Sequence, residues 1–165
     1  MPRPWPVIPL SAAFLWGCAS VVPPAAHVDW VGIYTASIAR RIDSPTSITG
    51  KVSVPSGVQP VRRTTQIPAS LGTRFGVGYV FDGRSADSQV QHRVVWYFPP
   101  GGLTNPETSR TAVSSTRSQT CLVDAPCLAG YSFNEPWELV PGRWTVEVWL
   151  EQQLVIRQTF EVFIE

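Results

Sequence analysis

The sequence predicts an all-β fold: an immunoglobulin-like antiparallel β-sandwich of about seven strands, with a small β-barrel as the alternative. Three observations predict it. Apolar residues recur with period two in several short stretches. Gly, Pro, Asp and Ser punctuate those stretches at regular intervals. No segment carries a sustained helical period, and strands do not alternate with helices as an α/β fold requires. The 165 residues suit one domain behind a short leader. A domain of that size buries about 70% of the surface its unfolded chain exposes, enough for a core without metals.

Val28 to Ile42 is the first strand. Val28, Trp30, Tyr34, Ala36, Ile38 and Ile42 share one face, and Asp29, Thr35, Ser37 and Arg41 share the other. Val52 to Arg63 contains Pro55, Gly57 and Pro60, so it reads as a loop or a ragged edge strand. Thr64 to Pro68 can form a short strand. Arg74 to Asp82 puts Phe75, Val77, Tyr79 and Phe81 inward, with Gly76 and Gly78 opposite, where another backbone or a covering loop can approach closely. Asp82-Gly83 supplies turn chemistry. Gln89 to Phe98 points Val90, His92, Val94, Trp96 and Phe98 inward, and Pro99-Pro100-Gly101-Gly102 stops it.

Thr111 to Gln119 is polar and β-prone, an outer strand, and Ala129 to Phe133 is another short one. The closing hairpin pairs Arg143–Leu150 with Leu154–Ile164. Trp144, Val146, Val148 and Leu150 face the core against Leu154, Ile156, Phe160, Val162 and Ile164. Gln152-Gln153 stands where Asn or Gly would be the usual hairpin turn.

The leader, residues 1–17, joins Arg3 to an apolar run from Val7 to Trp16. That run is shorter than the about 20 residues of a permanent membrane span and fits a secretory signal peptide. Leu15-Trp16-Gly17-Cys18 resembles the bacterial lipobox, with bulky Trp16 as a departure. The resemblance implies that Cys18 is lipidated and that residues 18–27 tether a single domain, 28–165. It also implies partnership with a membrane through the anchor, in the bacterial cell envelope facing the periplasm. Ala19 offers no inner-membrane retention signal, which favours the outer membrane over the inner. Several acyl chains on one cysteine would make the attachment durable.

Four further stretches carry a second resemblance: Gly32–Ala36 (GIYTA), Thr64–Tyr79 (TTQIPASLGTRFGVGY), Phe98–Pro100 (FPP) and the spaced LVPGRW…EV…L…QTFEV of Leu139–Val162. In this order the chain resembles the uncharacterised bacterial family catalogued as domain of unknown function 3859, from about Trp30 to Glu165. The resemblance implies no activity, ligand or catalytic residue. The lipoprotein-like leader, an insertion rich in Ser and Thr around Thr104–Gln119 and the cysteine pair depart from the family pattern.

Cys121 and Cys127 enclose LVDAP, and an exported chain meets an oxidising compartment, so the pair is expected to form a disulfide. A metal centre would need more donors than His27 and His92 supply, so no metal and no cofactor are expected. Net charge is +1, and loss of the leader with Arg3 leaves the remainder neutral, which argues against nucleic acid as a partner.

A nucleophile–histidine arrangement has only His92 inside the fold, with Asp87 and Ser88 nearby in a turn. Paired acids would come from Glu135, Glu138, Asp82 or Asp124. Glu135 and Glu138 read as solvated loop charges, and His92, on an apolar strand face, as a core histidine. The functional expectation is a non-enzymatic binding or structural module, not an enzyme, with an envelope protein or glycan as partner. Its contact surface is assigned to Trp149, Tyr97 and Phe163, aromatics out of phase with their strands' inward residues, unless a loop such as Val52–Arg63 covers them. That reading expects no cleft lined by titratable groups. The alternative is a weak hydrolase using Glu135 and Glu138 or His92.

Overall fold

The structure, a computed structural model, describes residues 25–44, 48, 50–83 and 88–164. Their eleven strands fall into two main sheets and a small hairpin. The first sheet has the order β2-β1-β4-β9, from β1 (Ala25–Asp43), β2 (Lys51–Arg63), β4 (Arg74–Asp82) and β9 (Cys127–Ser132). The second has the order β3-β11-β10-β5-β8, from β3 (Gln66–Pro68), β5 (Gln89–Tyr97), β8 (Ser114–Leu122), β10 (Gly142–Leu150) and β11 (Gln153–Phe163). β6 (Leu103–Asn105) and β7 (Arg110–Ala112) form the separate hairpin. Both main sheets are open, so the sandwich holds and the barrel alternative does not. Pairing is antiparallel except between β3 and β11, which run parallel.

The core follows from alternation. Phe75, Val77, Tyr79 and Phe81 of β4 are all sealed from solvent, as are Val94 of β5 and Trp144, Val146 and Val148 of β10. Phe75 is the hub. Its ring lies 5.2 Å from those of Phe133 and Phe160 and 5.4 Å from Trp96, mostly edge to face. Deleting such a ring costs about 3–5 kcal/mol in a well-packed core.

Several expectations need correction. β1 starts at Ala25, so Ala25–His27 of the expected tether pair as strand with Asp82–Val80. The phase of β1 is also reversed. Val31 and Ile33 pair with Val77 and Phe75 and pack on the core, whereas Trp30 and Gly32 pair with Gly78 and Gly76 on the outer face. Trp30 and Tyr34 are nonetheless buried. Glycine is the reason: a Cβ at Gly78 would overlap the Trp30 indole, and one at Gly130 would overlap the Tyr34 hydroxyl. The missing side chains leave a trough that the two rings fill, 5.7 Å apart. Val28, Ile38 and Ile42 are exposed, as is Ile164 at the end of the chain. Of the two readings of Val52–Arg63, the ragged edge strand holds and the loop does not: it lies in β2, with register shifts along its pairing with β1. The single outer strand expected over Thr111–Gln119 is broken at Val113 into β7 and β8.

β1 and β2 continue past β4 as a two-stranded arm. Ile48, between the two strands, is buried, and its carbonyl accepts a hydrogen bond from Asn105 Nδ2 at 3.2 Å. The arm is thereby fastened to the β6–β7 hairpin.

Candidate functional site

The two sheets end side by side at β8 and β9, and this seam carries the site. β8 has no apolar inward face: Ser115, Arg117 and Gln119 occupy its inward positions, paired with Trp96, Val94 and His92. Two of these side chains reach across to the edge of β9. Arg117 Nη2 donates to the Leu128 carbonyl at 3.4 Å, and Gln119 Nε2 donates to the same carbonyl at 3.1 Å. Side chains thus satisfy an edge that another strand would otherwise claim. The Cys121–Cys127 disulfide, with Cα atoms 6.1 Å apart, closes the seam at one end.

The arm passes over this seam and roofs a cleft of about 690 Å³. Its walls are β8, β9 and the outer half of the arm, and Tyr34, Trp96, Phe98 and Tyr131 supply aromatic surface. Arg40, Arg74 and Arg117 line it, against Asp43 and Glu138. The expectation of no cleft lined by titratable groups is therefore wrong. Arg117 is half-buried as a side chain, yet its Nε is sealed from solvent, and burial lowers its pKa. Burial raises the pKa of Tyr34, against the pull of Arg117 and Arg74. Among the described residues, the buried side-chain polar atoms without a partner are Trp96 Nε1, Arg117 Nε and Gln119 Oε1, and all three residues line the cleft.

A family described as Domain of unknown function (DUF3859) matches residues 24–162. The chain belongs to that family. No curated protein matches it. Among solved structures, an immunoglobulin-like protein from Pseudomonas aeruginosa is similar, at 23% identity over 84% of this chain and 96% of that one, with a TM-score of 0.59. At that identity the likeness concerns the fold, and it agrees with the open sandwich.

The candidate catalytic residues of this DUF3859 chain are engaged in its architecture. His92 is 4% exposed; its Nε2 faces the Tyr79 hydroxyl at 2.6 Å and its Nδ1 faces the Val90 carbonyl at 3.2 Å. Burial lowers its pKa, so the neutral ring donates from Nδ1 and accepts at Nε2. Glu138 is 2% exposed, not the solvated charge the sequence reading expects. Its carboxylate accepts the Asn134 N–H at 2.6 Å, the Glu135 N–H at 2.9 Å and the Tyr131 hydroxyl at 2.9 Å. These bonds fold the loop around the short 3-10 turn Pro136–Glu138. Burial raises the Glu138 pKa and the three donors oppose it. Glu135, by contrast, is exposed. The two acids form a loop clasp and do not face each other across a substrate space. Asp82 pairs with His27 at 2.9 Å, and Asp124 accepts the Gly83 N–H at 3.3 Å. Among the described residues no group of three or more His, Cys, Asp and Glu is placed to hold a metal. Asp87 and Cys18 lie outside the described residues.

The three aromatics assigned to a contact surface do not form one patch. Trp149 is half-buried; its indole N–H donates to Glu147 Oε2 at 2.8 Å, and the Arg93 guanidinium lies 5.6 Å from its ring centre. Tyr97 is exposed on the neighbouring strand, its pKa raised by desolvation and by Glu147. Phe163 sits at the other end of β10–β11, beyond the Thr145–Thr159 and Arg143–Glu161 pairs. β2 belongs to the opposite sheet, so Val52–Arg63 is not the cover over these rings. The seam cleft escaped sequence reading, and its one signal was a β-prone strand with Arg and Gln at its inward positions.

Proposed function

We propose that the protein is a lipid-anchored, non-enzymatic binding module of the bacterial cell envelope, held through Cys18 at the periplasmic face, on the outer membrane rather than the inner. It takes its ligand in the cleft under the β1–β2 arm. One observation carries this reading: the groups that hydrolysis would need are consumed by the fold, while the residues that carry the unpartnered polar atoms all line the cleft. A base must reach the proton it abstracts. His92 has both ring nitrogens engaged and Glu138 accepts three hydrogen bonds, so neither is free for that role. The cleft volume lies within the about 300–1,000 Å³ of small-molecule sites.

Two experiments test it. Cys18→Ser should release the chain into the soluble periplasmic fraction; retention in the membrane would overturn the anchor. A low-molecular-mass extract of the envelope should raise the Tm of the full-length chain, and Ser132→Trp, which fills the cleft, should remove that rise. A rise that survives Ser132→Trp would place binding elsewhere.

A further inference from the structure

We infer that the cleft recognises a ligand presenting a carboxylate, seated on the Arg117 guanidinium, with a hydroxyl or N–H beside it. This rests on the reading of the cleft as a ligand site and goes further by assigning the chemistry. Leaving a buried donor or acceptor unpaired costs about 1–3 kcal/mol. Among the described residues, the three such side-chain atoms belong to residues of one cleft, and Trp96 is only 3% exposed. Trp96 Nε1 and Arg117 Nε are both donors sealed from solvent, so only a ligand that parts the side chains covering them reaches them. Since one sits on a cation, that ligand brings an anion with acceptor oxygens.

Charge agrees. Arg40, Arg74 and Arg117 line the space against Asp43 and a Glu138 whose carboxylate is already occupied by Tyr131, Asn134 and Glu135. The acceptor shown for Arg117 is the neutral Leu128 carbonyl, and no carboxylate pairs with it among the described residues. A planar guanidinium fork matches a carboxylate through two parallel hydrogen bonds, which a lysine cannot reproduce. Gln119 Oε1 is an acceptor, since its amide nitrogen already serves Leu128, so it calls for a donor on the same ligand. A carboxylate next to a hydroxyl or N–H describes a sugar acid or an acylated amino acid.

The test is ¹H–¹⁵N NMR of the full-length oxidised chain, following the Trp96 indole N–H and the Arg117 Nε–H. Glucuronate, N-acetylglutamate and glucose are the probes. At least one acid should move both resonances saturably while glucose moves neither, and the tighter acid tells sugar acid from acyl amino acid. Arg117→Lys, which keeps the charge, should weaken that acid at least about tenfold. Equal response to glucose, or an affinity unchanged in Arg117→Lys, overturns the carboxylate assignment. If both acids fail while a neutral fraction of the envelope extract moves the Trp96 resonance, the assignment falls and the cleft reading stands. If no probe and no fraction moves it, both fall.

Discussion

Tyr79 and His92 meet hydroxyl to imidazole at 2.6 Å, one from each sheet, inside a core that leaves them 1% and 4% exposed. This bond joins the two layers through polar atoms where their neighbours join through apolar surface. The Phe81 ring, 4.9 Å from the imidazole, completes the enclosure.

A lowered histidine pKa is also a statement about stability. Above the ordinary range of about 6.5 both folded and unfolded chains carry His92 neutral, and the bond to Tyr79 is intact. Below it the unfolded chain takes a proton that the folded chain refuses, so stability falls as pH drops from there towards the lowered value. Urea midpoints of the wild type against Tyr79→Phe/His92→Leu, measured at pH 7.5 and 5.5, should therefore differ more in favour of the wild type at the higher pH. The single variants should each cost about 1–3 kcal/mol, because each strands a buried partner, and the double variant less than their sum.

How far the sequence reaches can be judged on β4 and β1. The alternation of Phe75, Val77, Tyr79 and Phe81 is read correctly because a whole sheet covers that face. On β1 the same period is visible, yet period two says only which residues share a face. It cannot say which face is covered, and here the trough over Gly78 and Gly130 buries Trp30 and Tyr34 on the far side. Ile164 fails for the same reason: nothing in its phase reveals that the sheet has run out. Glu138 was illegible because its role depends on three donors gathered by a loop closure. The cleft was illegible because its walls come from strands whose adjacency is set by sheet order, not by spacing.

Glu138 gives the opposite sign from His92. Its carboxyl pKa is raised by burial, so the folded chain holds a proton to higher pH than the unfolded chain does. The stability this contributes is full below the usual carboxylate range and is lost as pH rises through the raised value. Glu138→Gln keeps the shape: its carbonyl can take both backbone N–H groups and its amide can face the Tyr131 hydroxyl. It should cost about 1 kcal/mol, with the gap to the wild type narrowing as pH rises. Glu138→Ala strands three donors and should cost about 3 kcal/mol or more. Chemical denaturation across pH 4 to 8 checks both.

The disulfide spans from the edge of one sheet to the edge of the other, so it restrains the seam that carries the cleft. In the chain-entropy model a loop this short contributes about 2 kcal/mol. Reduction, or Cys121→Ser with Cys127→Ser, should lower stability by that amount. It should also speed amide exchange at β8 and β9 more than at β10 and β11, which the bridge does not touch. Hydrogen exchange read strand by strand decides it, and equal acceleration in both pairs would mean the bridge acts on the unfolded chain alone.

On the outer face of the second sheet, Glu147 is 3% exposed and binds Arg157 through one oxygen, at 2.6 and 2.8 Å, and the Trp149 indole through the other, at 2.8 Å. The indole is therefore held down on its own strand, packed under Arg93, and it is not presented edge-on to solvent. Hydrogen bonds to a charged group are each worth about 1.5–3 kcal/mol, and the exposed Arg157 recovers part of its share from water. Glu147→Ala should then cost about 2 kcal/mol and shift Trp149 emission to the red as the ring loosens. Trp149→Phe, which gives up one hydrogen bond but keeps a ring under Arg93, should cost less. The reverse order would place the energy of this cluster in the indole and not in the Glu147 carboxylate.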